Sequence, residues 1–518
     1  MIITSEFPPV EVLDLPIHDA VLGRAQEYGD RPAMVDGVTG KELSYAQLDH
    51  LTRRVAAGLA ELGVQHGDVI ALYSPNTILY PVVFYGATRA GATVTTVNAL
   101  YTADELHKQL IDSKAKLLVT ISLFLPVATA AVEGTDVGQI FVCDQAEGYR
   151  SIQELFASTA PEPSVTIDPA ADVAVLPYSS GTTGAAKGVM LTHRNIATNI
   201  AQAEATIKLG EDERVIAILP FFHIYGLTVL MNLPLRLGIT VVVLPKFDLE
   251  QFLTTLQDQR ITRAFVAPPV VLALAKHPAV DSFDLSALQH VMSAAAPLDG
   301  ELAEACAKRL GLHAVTQAYG MTELSPGTHA VPQDDPEPPP GAVGKLFPST
   351  EMRLVGADGE DADEGEIWIR GPQVMKGYLG RPAETDATID RDGWLHTGDI
   401  GRMDARGYLY VVDRVKELIK YHGYQVPPAE LEAVLLTDDR IADAAVIGVE
   451  AEGNEVPKAF VVPMPGVSLT AEDVIEYVAA RVAPYKKIRQ VEFIDAVPKA
   501  ASGKILRREL RAREAARE

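Results

Sequence analysis

The sequence predicts a multi-domain α/β protein: a large N-terminal domain with parallel-rich sheets flanked by helices and a small β element, then a small α+β C-terminal domain. Three observations predict it. The chain has 518 residues, too many for one ordinary core. Apolar runs of strand length alternate with longer helical stretches. The composition changes near residue 351 and again after Asp413.

The alternation is visible in order along the chain. VAVLPYSSG precedes VMLTHRNIATNIAQAEATI, and RVIAILP precedes the apolar FFHIYGLTVLMNLPLRL. ITVVVLPKF follows, and ITRAFVAPP leads into VVLALAKHP. Continuous β-branched runs between helices indicate strands buried on both faces, hence largely parallel sheets. Residues 351–407 are rich in Gly and Asp, with short strands such as EIWIRG, and read as the small β element. KELIKYHGYQVPPAELEAVLL then opens a compact unit. The domains expected are 1–415 and 416–518. QDDPEPPPGAVG is a Pro-rich connector.

Composition excludes several classes of function. Apolar residues at 47% and charged residues at 22% describe a globular chain. A net charge of −24 repels a phosphate backbone, so nucleic acid is excluded as a partner. A small anionic substrate would need a local patch of cations or amides. The two cysteines, Cys143 and Cys306, lie in no metal-like spacing, which argues against a disulfide framework or a zinc site. The N-terminal MIITSEFPPVEVLDLP lacks the features of a signal peptide, and AREAARE carries no peroxisomal tripeptide. The longest apolar stretch, around Phe221–Leu235, is broken by His223, Asn232 and Pro234, so no membrane span is expected. The expectation is a cytoplasmic monomer or homodimer.

The chemistry is concentrated in Tyr178–Gly188, YSSGTTGAAKG. Ten residues, Ser179–Gly188, hold two serines, two threonines, three glycines and a lysine. Glycines let backbone N–H groups approach phosphate oxygens, hydroxyls add donors, and Lys187 adds charge. The loop is expected between a strand and a helix whose N-terminal end faces the anion. It is not a Walker A loop, because Ala186 and Gly188 flank Lys187. A flexible Gly/Ser/Thr loop has the same composition; the strand before it and the helix after it favour phosphate.

This loop resembles the phosphate loop of the adenylate-forming superfamily of acyl-CoA synthetases, luciferases and peptide-synthetase adenylation domains. Ala186 stands where that family has proline. The resemblance extends over five motifs in family order, from about Pro16 to Leu510. It implies that Ser179, Ser180, Gly181, Thr182, Thr183, Gly184 and Lys187 contact ATP phosphates. In HAVTQAYGMTELSPG it implies that Thr322 contacts phosphate and Glu323 holds Mg²⁺, a hard cation suited to carboxylate and phosphate oxygens. Ala296 in VMSAAAPL, with Gln317, Ala318 and Tyr319, is implied at the adenine. Asp399 in GWLHTGDIG and Arg414 in VVDRVKELIK are implied at the ribose. Lys504 in PKAASGKILRREL is implied as the catalytic lysine. It stabilises charge on the α-phosphorus as pyrophosphate departs. Lys504 lies in the small domain, so that domain must move and dock over ATP, with Lys416 as the hinge.

Within the superfamily, VVDRVKELIKYHGYQVPPAELEAVLL is similar to the segment in 4-coumarate–CoA ligases and their bacterial cinnamate–CoA relatives. That similarity implies an acyl pocket lined by Tyr225, Val229, Ala295, Ala318, Gly320, Pro326 and Gly327, with His223 at the gate between acid and thiol. It implies that Lys420 and Gln425 act chiefly in the thioester step. His422 replaces a lysine common there. Coenzyme A is implied as co-substrate, with Lys246, His422, Gly423 and Lys486 as candidate contacts, beside Lys487 and Arg489. The best reading is a 4-coumarate or cinnamate type of acid. Benzoates and medium- or long-chain fatty acids stay open, as do a carrier-protein acceptor and a luciferase-like oxygenase. A non-catalytic nucleotide sensor would need neither Glu323 nor Lys504.

Overall fold

The structure, a computed structural model, describes residues 1–179, 186–421, 424–451, 454–500 and 503–516. Ser180, Gly181, Thr182, Thr183, Gly184, His422 and Gly423 therefore lie outside the described residues, as does the Gln425 side chain.

Two nine-stranded sheets form the large part of the chain. In one, the strands Val69–Leu72, Thr93–Thr96, Ala115–Thr120, Gln139–Val142 and Val173–Val175 are parallel. In the other, Pro32–Asp36, Arg214–Ala217, Thr240–Val243, Arg263–Val266, His290–Ser293 and Val315–Gly320 are parallel. Strand Thr240–Val243 is buried along its whole length, as a parallel strand covered on both faces must be. Antiparallel strands close the edges: Gly327–Ala330 beside Val315–Gly320, and Glu42–Ser44 beside Pro32–Asp36. One apolar core joins both sheets and the helices around them.

The expected β element is a five-stranded antiparallel sheet. It joins Ile3–Thr4 to Glu351–Val355, Glu364–Arg370, Leu395–Met403 and Leu409–Arg414. Glu364–Arg370 alternates buried and half-exposed residues, the period of a sheet with one wet face. From Ile419 onward the apolar side chains gather in two further clusters, around Val446–Val461 and around Phe460–Leu510. They pack on a three-stranded sheet, Ile441–Ala451, Asn454–Pro463 and Gln490–Phe493, with helices Pro428–Leu436 and Arg507–Ala515. No helix among the described residues is long and apolar enough to cross a membrane.

One local expectation is corrected. The Gly-rich loop does not run from a strand into a helix. Tyr178–Ser179 and Lys187–Thr192 pair antiparallel, Tyr178 with Gly188 and Ser179 with Lys187, so the segments flanking the loop are a paired strand on each side. The helix His193–Ile207 begins only after that strand. Its start is fixed by Thr192, whose hydroxyl accepts the Asn195 N–H while Asn195 caps back to the Thr192 N–H. The helix His193–Ile207 therefore does not start at the loop itself, where the sequence predicts it.

Candidate active site

The carboxyl ends of both parallel sheets open onto one cavity of about 890 Å³. Tyr178 and Ser179 follow the strand Val173–Val175, and Ala294 and Ala295 follow His290–Ser293. His223 and Tyr225 follow Arg214–Ala217, and Tyr319 and Gly320 end Val315–Gly320. Ligands of open α/β sheets bind at this end of the strands.

At one end stand Ser179, Lys187, Thr322 and Glu323, all on the cavity wall. Strand pairing carries Lys187 to the base of the loop. A methyl at Gly188 would come within 3.1 Å of the Tyr178 ring, so glycine lets that ring lie against the paired strand. Thr322 and Glu323 sit on a short 3₁₀ turn, and Glu323 is buried. The Tyr378 hydroxyl donates to Glu323 Oε1 at 2.8 Å.

Asp399 and Arg414 are antiparallel partners in the five-stranded sheet. Arg414 Nε lies 3.1 Å from Asp399 Oδ1, and the Tyr319 hydroxyl donates to Oδ2 at 2.7 Å. Arg414 and Tyr319 line the cavity with Gly398, while buried Asp399 orients both from behind the wall.

Lys504 reaches this cavity from the C-terminal segment. Burial, reinforced by Arg414, pushes its ammonium down to about 8; Asp399, Glu323 and Glu417 oppose the shift. His223 is pushed down to about 4 by burial and then by Lys504, so its imidazole is neutral at neutral pH.

The same cavity wall contains all seven residues expected at the acid: Tyr225, Val229, Ala295, Ala318, Gly320, Pro326 and Gly327. Two of them are glycine because backbone or ring lies too close for a side chain. A Cβ on Gly320 would fall 2.0 Å from the Pro326 carbonyl oxygen, and one on Gly327 would fall 2.8 Å from Phe347. Ala295 adopts a φ of 74°, a left-handed conformation that is strained for a residue with a Cβ. Asn199 pins Gly327 from both sides, donating to its carbonyl at 2.7 Å and accepting its N–H at 3.1 Å.

Several expected residues lie elsewhere. Ala296 is off the cavity wall, and Gln317 holds the Leu298 backbone through its amide, bracing the loop that carries Ala295. Lys246 borders a second cavity of about 340 Å³ with Lys499 and Gly503. Lys486 is not a free cation, because its ammonium bonds both Glu430 oxygens, at 2.6 and 2.7 Å. Lys420 is exposed and outside the main cavity, and its backbone N–H donates to Glu455 at 2.8 Å. Lys416 lines the cavity beside Arg414. Sequence reasoning missed Asn199, His329, Phe347 and Tyr378, which also line it. His329 is neutral, its ring pushed down to about 3 by burial.

Residues 22–379 match the family of AMP-binding enzymes, and residues 430–504 match the AMP-binding enzyme C-terminal domain. The chain is 41% identical over 525 residues to 4-coumarate--CoA ligase 5 of Oryza sativa subsp. japonica, covering 99% of this chain and 97% of the relative. It is 41% identical to 4-coumarate--CoA ligase 1 of Petroselinum crispum with the same coverage. Among solved structures, an anthranilate CoA ligase in complex with anthranoyl-AMP superposes with a TM-score of 0.91 at 25% identity, covering 98% of this chain and 99% of that one. ATP-bound MatB from Rhodopseudomonas palustris gives 0.86 at 29% identity, covering 96% and 99%. With a family model spanning more than half its length and curated relatives aligned from end to end, the chain belongs to the AMP-binding enzymes.

Proposed function

We propose that this protein is an ATP-dependent acid–CoA ligase of 4-coumarate or cinnamate type. It forms an acyl-adenylate, then an acyl thioester of coenzyme A, releasing pyrophosphate and AMP. The carrying observation is the meeting of Lys504 with Lys187, Glu323 and Arg414 around one cavity that is also lined by Tyr225, Ala295, Ala318 and Gly320. Curated relatives named 4-coumarate--CoA ligase support the acid class.

In the first half-reaction the acid's carboxylate attacks the α-phosphorus and pyrophosphate leaves. Lys504 supplies positive charge where negative charge develops, in a half-enclosed site where such charge acts strongly. Lys187 neutralises the departing end. Arg414, held by Asp399 from behind the wall, orients the ribose. Among the described residues no group of three or more potential ligands could hold a resident metal. One protein carboxylate is enough for Mg²⁺, since that ion takes most of its ligands from phosphates and water. Glu323 would hold it, and the ion would neutralise charge on the triphosphate. In the second half-reaction the thiol attacks the mixed anhydride, and AMP leaves far more readily than oxide would from the free acid. Neutral His223 lines the cavity near Lys504 and adds no charge there.

A panel of hydroxycinnamic, benzoic and fatty acids, assayed with ATP and coenzyme A, tests this reading. The expected result is a thioester product and a kcat/KM for 4-coumarate or cinnamate at least about tenfold above that for medium-chain fatty acids. A clear preference for fatty acids would overturn the aromatic assignment. Adenylate formation without any coenzyme A thioester would point to a carrier-protein acceptor.

A further inference from the structure

Tyr378 connects two parts of the cavity that are far apart in sequence. It ends the short strand Gly377–Tyr378, which pairs antiparallel with the strand rising from the Gly-rich loop, Val189 opposite Tyr378. Backbone bonds clamp this segment on both sides. The Leu379 N–H donates to the Gly188 carbonyl and the Lys376 N–H to Met190, each at 2.9 Å, while the Met375 N–H donates to the carbonyl of Glu323 itself. The same five residues thus touch the base of the phosphate loop and the backbone of the cation-side carboxylate.

The side chain repeats that connection. The Tyr378 hydroxyl donates to Glu323 Oε1 at 2.8 Å, and Lys187 Nζ lies 4.7 Å from the centre of its ring. Both phenol and carboxylate are buried, and both line the cavity. A phenylalanine would fill the same volume without placing a hydroxyl in the interior, so packing alone does not account for tyrosine. The charge-assisted bond occupies one carboxylate oxygen and fixes the rotamer, leaving the other for a cation. The ring also holds the ammonium of Lys187 by a cation–π contact. No ion pair joins Lys187 to Glu323 among the described residues, so neither charge is consumed by the other.

We infer that Tyr378 is a positioning residue that holds Glu323 for a divalent cation and seats Lys187 for the phosphates of the same nucleotide. This rests on the reading of the cavity as an ATP site. Because its hydroxyl and its ring act on different partners, two substitutions separate them. Tyr378→Phe removes the bond to Glu323 and keeps a ring under Lys187. Tyr378→Leu removes both.

The test measures acid-dependent ATP–pyrophosphate exchange against free Mg²⁺ in the full-length protein. Binding of Mn²⁺–ATP is read alongside by loss of the free-Mn²⁺ resonance signal, and divalent-free ATP binding by equilibrium dialysis. Tyr378→Phe is expected to raise the half-saturating Mg²⁺ about tenfold, with the KM for the acid and divalent-free ATP binding unchanged. Tyr378→Leu is expected to weaken divalent-free ATP binding as well. In a Glu323→Gln background, Tyr378→Phe should shift the Mg²⁺ midpoint no further, because the partner through which it acts is gone. A Mg²⁺ midpoint within about twofold of wild type in Tyr378→Phe would overturn the inference. So would an equal shift with and without Glu323. Wild-type protein that binds Mn²⁺–ATP normally but shows no acid-dependent exchange would overturn the ligase reading instead, and the binding measurements would still decide the role of Tyr378.

Discussion

Lys504→Ala is expected to lower acid-dependent pyrophosphate release by about 10²–10³-fold while leaving thioester formation from supplied acyl-adenylate nearly intact. The substitution removes a cation from a wall shared with Arg414, Glu323 and Lys187. It leaves the turn that carries it, because the Ala500 N–H donates to the Lys504 carbonyl and Lys499 bridges Ile505 through backbone atoms. The same lysine sets a pH dependence. Burial and Arg414 push its ammonium down to about 8 in the free protein, so its charge is present below that pH and is lost as pH rises through it. The kcat/KM for adenylation, which reports the free enzyme, should therefore fall above about pH 8, and Lys504→Ala should abolish that limb. Bound phosphates favour the charged form, so the fall in kcat should lie at higher pH. A variant that keeps adenylation activity, or a wild-type kcat/KM that stays flat through this range, would remove Lys504 from the first step.

Much of this site was legible because its chemistry sits in contiguous motifs. Thr322 and Glu323 lie within one short stretch, and Asp399 within another, so the resemblance of each stretch to a family motif points to them, where a lone Glu or Asp would not. The acyl residues were legible only through resemblance to 4-coumarate–CoA ligases; the physical reason for two of them is tertiary, since a Cβ on Gly320 would meet the Pro326 carbonyl and one on Gly327 the Phe347 ring. What sequence reasoning lost depends on tertiary pairing. Tyr378 comes under Lys187 only through a two-residue strand joined across nearly two hundred positions. Lys486 looked like a free cation until its bond to Glu430, 56 residues away, was seen. The strand after the phosphate loop was a local misreading. Thr192 and Asn195 mark the helix start in the sequence itself, and the residues between Lys187 and Thr192 have the length and β-branching of a strand.

Lys416→Pro is expected to slow thioester formation on the order of 10²-fold and to leave adenylation close to wild type. Strand Leu409–Arg414 belongs to the five-stranded sheet, whereas Ile419 already belongs to the separate apolar cluster beyond it. The residues between them form a turn held by three backbone bonds, donated by Val415 to Gly398 and by Glu417 and Leu418 to Arg414. None uses the N–H of residue 416, so proline takes none of them away. Contacts across the turn also survive: Asp413 Oδ2 accepts the Ala429 N–H at 3.0 Å, and Arg511 pairs with Glu417. The hydrogen bonds of the arrangement that puts Lys504 in the cavity thus do not depend on the N–H of residue 416. On the proposed mechanism Lys504 withdraws in the second step so that a thiol can reach the adenylate, with the rotation absorbed at residues 415–417. Proline fixes φ at its own position and narrows the conformations of Val415 before it. Rapid mixing should show a normal first burst of pyrophosphate followed by slow thioester release. A normal overall turnover in this variant would move the hinge elsewhere, and equal loss of both steps would mean that proline had distorted the Asp399–Arg414 wall itself.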